Sequence, residues 1–122
     1  MDIADSPMSG LNLCLGPWTA METDIVAAIR HFGSRGQIFY GHAQGVKGVA
    51  PTFDECFLDE ADCDFLAVIR ALNDVGFDGC LAPAHFPSTV GDTTNALSTA
   101  MQHHGSAYAF GYMRALIQVA AR

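Results

Sequence analysis

Three short apolar segments, separated by stretches with helical periodicity, restrict the fold of this chain more than any other feature. They are "GLNLCLG" around Cys14, "QIFYGHAQGVKG" with His42, and "FDGCLAPAH" ending at His85. Short apolar runs bounded by glycine or proline are typical of buried parallel strands. Strands that alternate with helices predict a parallel sheet with right-handed crossovers.

The stretches beside these strands have the apolar spacing of amphipathic helices. The spacing predicts three helices, over about residues 23–33, 62–75 and 107–120. Thr23 is the predicted N-cap of the first helix, because its hydroxyl can accept a hydrogen bond from the first turn.

The connections between these elements are predicted to be irregular. Glycines at positions 41, 45 and 48 follow the second strand and predict a loop that a ligand can approach closely. Residues 51–61 carry acidic side chains around a short extended stretch. Residues 88–104 are polar and rich in turn-forming residues, and we expect a flexible excursion there.

The length limits the architecture to one domain. The chain has 122 residues, whereas a complete (β/α)8 barrel takes about 250. Two arrangements fit the order of elements: about half of such a barrel, or a small open sheet in a three-layer fold. In either case we expect a single α/β domain over residues 1–122, built from about three to four βα units.

Charge and composition restrict the partners. The chain has 13 acidic against 6 basic residues and a formal net charge of −7, which argues against nucleic acid or an anionic membrane as partner. Half of the residues are hydrophobic, so we expect another chain to cover part of the apolar surface. No apolar stretch approaches the roughly 20 residues that span a bilayer.

The cysteines and the N-terminal residues predict a cytoplasmic protein. The four cysteines form no C-x-x-C pair, so they are expected to be reduced thiols. Cys56, Cys63 and Cys80 are predicted to be packing residues. The acidic start "MDIADSPMSG" does not have the composition of a secretory signal.

One cysteine and two histidines mark the ends of the three predicted strands. Cys14, His42 and His85 are expected to meet at one edge of the sheet, because the carboxyl ends of parallel strands face a common crevice. Thiol and imidazole groups gathered there predict a metal site or an acid–base site. Lys47 is the one cation near this edge and is a candidate anchor for a substrate carboxylate. Three strands are too few to complete such a site alone.

Four segments together resemble the mannonate dehydratase family: "DSPMSGLNLCLG", "IRHFGSRGQIFYGHAQGVKG", "FDECFLDEADCDFLAVIRALNDVGFDGCLAPAH" and "AYAFGYMRALIQ". The resemblance covers nearly the whole chain but only the C-terminal third or so of that family. It implies part of a TIM barrel of the xylose-isomerase-like kind. It also implies a lyase that uses a divalent metal, usually manganese, to convert D-mannonate to 2-keto-3-deoxy-D-gluconate in hexuronate catabolism.

The resemblance assigns roles to residues at the strand ends. It implies that Cys14 and His42 are metal ligands and that His85 transfers protons. Ala84 stands where the family has a ligand aspartate, in its "P-D-H" motif, so we expect a weakened site. Gln44 and the following glycine stand where the family has the arginine and asparagine that would hold substrate, and Gln44 is the candidate substrate contact here.

These departures leave three functions open. The first is an impaired mannonate dehydratase-like lyase that takes further metal ligands from a second chain. The second is a non-catalytic half-barrel that binds a sugar acid or a metal. The third is a truncated or degenerate scaffold. In each case we expect a homo-oligomer or a partner chain that completes the barrel, since exposed sheet edges and an apolar inner face favour association.

Overall fold

Five strands and four helices occur within residues 6–90 and 103–121, the part of the chain that the computed structural model describes. In chain order they are β1 (Leu11–Cys14), α1 (Leu15–Ala20), α2 (Ile25–Gly33), β2 (Ile38–Ala43), β3 (Gly45–Val49), β4 (Thr52–Cys56), α3 (Phe65–Asp74), β5 (Cys80–Pro83) and α4 (His103–Ala120). The mixed α/β class predicted from the sequence is confirmed.

The three strands predicted from the apolar segments form one parallel sheet. Its order is β1–β2–β5, with β2 in the centre. The register pairs Cys14 with His42 on β1 and β2, and His42 with Ala82 on β2 and β5. The carboxyl ends of the three strands therefore lie side by side, as the alternating pattern predicted.

Aspartates cap helices α2 and α3. The Asp24 carboxylate accepts a hydrogen bond of 2.9 Å from the backbone N–H of Ala27, and Asp64 accepts one of 2.9 Å from Ala67. Each carboxylate satisfies an N–H that the first turn leaves unpaired and lies at the positive end of the helix dipole. The predicted cap at Thr23 is wrong by one residue, because Asp24 provides it.

The hydrophobic core lies between one face of the sheet and the helices. Helix α3 packs against both α2 and α4, and α2 and α4 contact the sheet. Apolar side chains of β1 and β2 point to this side, so the strands are tied to the helices by burial of apolar surface. Core residues from both layers include Leu13, Ile29, Ile38, Val68, Leu72, Phe86 and Met113.

The opposite face of the sheet is poorly covered. Side chains alternate along a strand, and the register therefore places six residues on this second face: Asn12, Cys14, Tyr40, His42, Cys80 and Ala82. None of the six is buried, and two, Asn12 and Cys80, are exposed. The prediction that Cys80 is a packing residue is therefore wrong, because Cys80 is exposed among the described residues.

A β-hairpin occupies the region that was predicted to be irregular. β3 and β4 pair in antiparallel fashion, with Gly45 opposite Cys56 and Val46 opposite Glu55. Gly45 allows the close approach, because a Cβ at this position would lie 2.6 Å from the Cys56 carbonyl oxygen. The glycines after β2 thus permit strand pairing, and the predicted loop does not form.

Two further differences concern helices. The short helix α1 was not predicted, and α4 begins at His103 rather than near residue 107. Most of the segment predicted to be flexible, 88–104, lies outside the described residues. Within the described ranges, no helix is long and apolar enough to cross a membrane.

Candidate functional site

Cys14 and His42 are neighbours at the carboxyl edge of the parallel sheet. Cys14 is the last residue of β1, and His42 is the penultimate residue of β2. They are register partners, so their backbones are separated by the strand spacing of about 4.8 Å and their side chains leave the same face. The sequence prediction that strand ends bring these two groups together agrees with this register.

The Cys14 thiol is half-buried and hydrogen-bonded. It donates to the Gln44 side-chain oxygen, Oε1, at 3.2 Å. Burial raises the pKa of Cys14 above its usual value, a backbone hydrogen bond from Gly16 opposes this, and the negative charge of Glu55 adds a smaller rise. The thiol therefore keeps its proton at neutral pH, and a bound metal ion would have to displace that proton.

The His42 ring packs against an aromatic neighbour on the same face. The Tyr40 and His42 ring centroids are 5.0 Å apart, with the ring planes at 81°. Tyr40 and His42 are two residues apart on β2, which places both on the poorly covered side of the sheet. This edge-to-face contact limits the orientations that the imidazole can adopt.

Gln44 is a buried polar bridge between two strands. Its Oε1 accepts the Cys14 hydrogen bond, and its Nε2 donates to Glu55 Oε1 at 2.7 Å. The residue is only 7% exposed, so these partners satisfy polar groups that would otherwise be costly to bury. Gly16 leaves the space, because a Cβ there would lie 2.5 Å from the Gln44 side chain.

Glu55 connects this bridge to His85. Its Oε1 lies 3.2 Å from His85 Nδ1, and the two side chains are 45% and 56% exposed. A continuous series of polar contacts therefore runs from Cys14 through Gln44 and Glu55 to His85, which we call the Cys14–His85 network. Glu55 was not predicted as a site residue, because the local sequence pattern does not indicate the hairpin that carries it.

The backbone of His85 is unusual. Its φ angle is +52°, in the left-handed region that non-glycine residues seldom occupy. The residues on either side, Ala84 and Phe86, are buried, and the Ala84 N–H donates to the Ala43 carbonyl at 3.0 Å. His85 is thus an exposed side chain between two anchored residues.

Lys47 lies apart from the other predicted site residues. It is exposed on β3 and pairs in register with Asp54, while its neighbour Val46 pairs with Glu55. Alternation along the hairpin therefore puts Lys47 on the face opposite to Glu55. Of the five predicted site residues, the Cys14–His85 network joins Cys14, Gln44 and His85. His42 adjoins Cys14, and Lys47 is separate.

Cys14 and His42 could supply only part of the ligand set of a metal ion. In the described part of the chain, no three His, Cys, Asp or Glu side chains are grouped so that they could hold a metal ion. Ala84 is buried and its methyl group offers no donor. One sulfur and one imidazole nitrogen suit zinc or another borderline cation better than manganese, which prefers oxygen ligands.

A sequence model of the D-mannonate dehydratase family (UxuA) matches residues 1–122 of the chain. Mannonate dehydratase 2 of Halalkalibacterium halodurans is 38% identical in an alignment of 89 positions that covers 70% of this chain and 26% of that protein. Mannonate dehydratase of Thermotoga neapolitana is 34% identical over 88 residues, covering 66% and 24%. The chain thus spans about a quarter of the length of these curated relatives.

Solved structures agree with the sequence comparison. Mannonate dehydratase from Streptococcus suis superimposes with a TM-score of 0.79 at 25% identity, over 99% of this chain and 36% of that one. An L-ribulose 3-epimerase superimposes with a TM-score of 0.65 at 23% identity, over 96% and 39%, and this likeness concerns the fold alone. The described strands and helices correspond to a portion of a TIM barrel. The chain belongs to the mannonate dehydratase family.

Proposed function

We propose that this chain supplies the C-terminal part of a mannonate dehydratase-type active site. In this proposal Cys14 and His42 are two ligands of a divalent metal ion, and His85 transfers protons. The observation that carries the proposal is the Cys14–His85 network, which links the thiol beside His42 to the imidazole through Gln44 and Glu55.

Removal of water from a sugar acid requires two proton transfers. A base takes the proton next to the carboxylate, and an acid protonates the departing hydroxyl. His85 can serve in either role, because its side chain is 56% exposed and contacts a carboxylate through Nδ1. A divalent cation, when bound, would polarise the substrate carboxylate.

The proposal requires groups that the described residues do not supply. Two donors do not complete a metal site, so further ligands would come from other residues of the protein or from a partner. We propose that this partner is a second copy or another chain that covers the open sheet face.

We expect weaker metal binding and lower turnover than in the curated relatives, because Ala84 replaces the aspartate of the family motif. A cytoplasmic location also stays a prediction.

A second candidate function is non-catalytic binding of a sugar acid or a metal ion. It is favoured by Gln44, whose amide oxygen and nitrogen are both engaged within the protein. It is also favoured by Gly45, since a Cβ there would lie 2.6 Å from the Cys56 carbonyl. An asparagine at position 45, as in the family motif, would require the hairpin to move.

Cobalt binding and turnover together test the first proposal. Co²⁺ titrated into the metal-free chain should give thiolate-to-cobalt absorbance in the near ultraviolet, and Cys14→Ser should remove it. Cys80→Ser is the matched control, because Cys80 lies on the same sheet face but at the start of β5. Formation of a 2-keto-3-deoxy acid from D-mannonate would then identify a lyase. Absorbance without product favours the second candidate in its metal-binding form. The absence of both contradicts the lyase and the binding of a metal ion at Cys14.

A further inference from the structure

We infer that Glu55 is the positioning residue of His85. In this arrangement Glu55 holds the imidazole as the Nδ1–H tautomer and leaves the Nε2 lone pair for a substrate proton. A catalytic role for this tautomer rests on the proposed function. The tautomer itself depends only on the contacts among Glu55, Gln44 and His85.

Glu55 is held in place by a buried neighbour. Glu55 Oε1 accepts a hydrogen bond of 2.7 Å from Gln44 Nε2. Gln44 is buried, and its other amide atom accepts from Cys14 on β1. The reversed amide would bring two oxygen acceptors together at Glu55, so the network selects one orientation of Gln44. The Glu55 carboxylate is therefore tied to the parallel sheet as well as to its own hairpin.

The contact between Glu55 and His85 favours one tautomer of the imidazole. A carboxylate has only acceptor sites, and a neutral imidazole has one donor nitrogen. Because Nδ1 is the ring nitrogen that lies 3.2 Å from Glu55 Oε1, we infer that this nitrogen carries the hydrogen. Nε2 is then the basic nitrogen, and a proton taken up there creates an imidazolium beside the carboxylate charge.

The backbone at His85 also has a conformation typical of functional sites. Its φ of +52° is disfavoured for a residue with a Cβ, and such conformations occur disproportionately at functional sites. Buried neighbours on both sides, Ala84 and Phe86, hold the backbone in this conformation. In this conformation the exposed imidazole lies beside the Glu55 carboxylate.

The tautomer of His85 can be measured without turnover. Long-range ¹H–¹⁵N correlation spectra of the labelled chain, recorded above the imidazole pKa, distinguish Nδ1–H from Nε2–H, and His85→Asn assigns the signals. We expect mainly Nδ1–H in the wild type. In Glu55→Ala we expect a shift to Nε2–H, the form that an imidazole prefers in water. In Glu55→Gln the amide oxygen still accepts, so Nδ1–H should be largely retained.

Asp54→Ala is the matched control, because Asp54 is the adjacent acidic residue and lies on the opposite face of the same hairpin. This change should leave the His85 tautomer unaltered. A wild-type spectrum dominated by Nε2–H, or equal tautomer populations in wild type and Glu55→Ala, overturns the inference. The wild-type spectrum, assigned with His85→Asn, is sufficient to do so even when a Glu55 variant does not fold.

Kinetics separate this inference from the proposed function. If the wild type dehydrates D-mannonate, Glu55→Ala should lower kcat about tenfold or more with little change in KM. Glu55→Gln should recover part of that loss. Removal of the His85 imidazole should lower kcat by roughly a hundredfold or more. If the wild type forms no product, the proposed function fails, and the tautomer measurement still decides whether Glu55 positions His85.

Discussion

Cys14 keeps its proton because its surroundings disfavour the thiolate. Burial is the largest cause of its raised pKa, and the Glu55 charge adds to it. The thiol then acts as a hydrogen-bond donor to Gln44, which organises the rest of the network. At the residue scale, the same side chain can thus be a structural donor without metal and a predicted ligand with it.

Ala84→Asp tests the donor set directly. A carboxylate at position 84 would add the hard oxygen ligand that a sulfur and an imidazole lack, so we expect Mn²⁺ to bind at least about tenfold more tightly, with less gain for Zn²⁺. Calorimetric titration measures both constants. Ala84→Asn is the control, because it has similar size without charge. Equal Mn²⁺ affinity in the wild type and the aspartate variant would contradict the predicted ligand position.

Tyr108 provides a test of electrostatics away from the network. A hydrogen bond to Asp59 is the main cause that raises its pKa from 10.0 to about 12, followed by burial and the Asp59 charge. The folded state therefore favours the neutral phenol. Its contribution to stability is complete below pH 10 and is lost as the pH rises through about 12.

The measurement is a phenolate absorbance titration of the folded chain. In the wild type we expect a phase of phenolate absorbance near pH 12, from Tyr108. Tyr108→Phe should remove that phase. Asp59→Asn should move it towards pH 10. Glu60→Gln should have a smaller effect, because Glu60 is the last of the contributing causes. A late phase that persists in Tyr108→Phe would contradict the assignment.

At the scale of elements, the β3–β4 hairpin decides the geometry of the site. It carries Glu55 to the edge of the parallel sheet, where Gln44 and His85 meet it. Its pairing depends on the absence of a side chain at position 45, opposite Cys56. The hairpin is therefore a structural requirement for the network, although it belongs to a separate two-stranded sheet.

Gly45→Ala should destabilise the fold and disturb the site. The added Cβ would lie 2.6 Å from the Cys56 carbonyl, and such overpacking costs roughly 1–3 kcal/mol in the free energy of unfolding. Gly111→Ala on α4 is the matched control, since nothing lies within 4 Å of its Cβ position. A helical alanine there should stabilise by about 0.5–1 kcal/mol. Denaturant unfolding measures both, and equal effects would contradict the packing argument.

At the scale of the whole molecule, two surfaces remain open in the described part of the chain. One is the second face of the parallel sheet, where none of the six residues is buried. The other is the solvent side of α4, where Phe110, Ile117 and Val119 are 46–60% exposed. Exposed apolar surface and unpaired strand edges favour association with another chain or with further residues of the same protein.

We therefore expect the 122-residue chain to be oligomeric. Light scattering coupled to size exclusion at micromolar concentration should give a mass above that of one chain. Tyr40→Glu should weaken the association if the open sheet face is the contact, whereas Asp78→Ala, an exposed residue before β5, should not. A monomer at this concentration that unfolds in a single two-state transition would contradict the prediction.

The sequence by itself determined the features that depend on neighbouring residues. Apolar runs and helical spacing predicted the three parallel strands and the three longer helices, and the strand-end rule brought Cys14 and His42 together. Only the tertiary structure decided that the β3–β4 hairpin forms and that Gln44 bridges two strands. It also decided that Glu55 joins the Cys14–His85 network and that Lys47 lies apart from it. The contacts of the Cys14–His85 network join residues 30, 11 and 30 positions apart. Such contacts depend on strand register and on close backbone approach, which local periodicity does not encode.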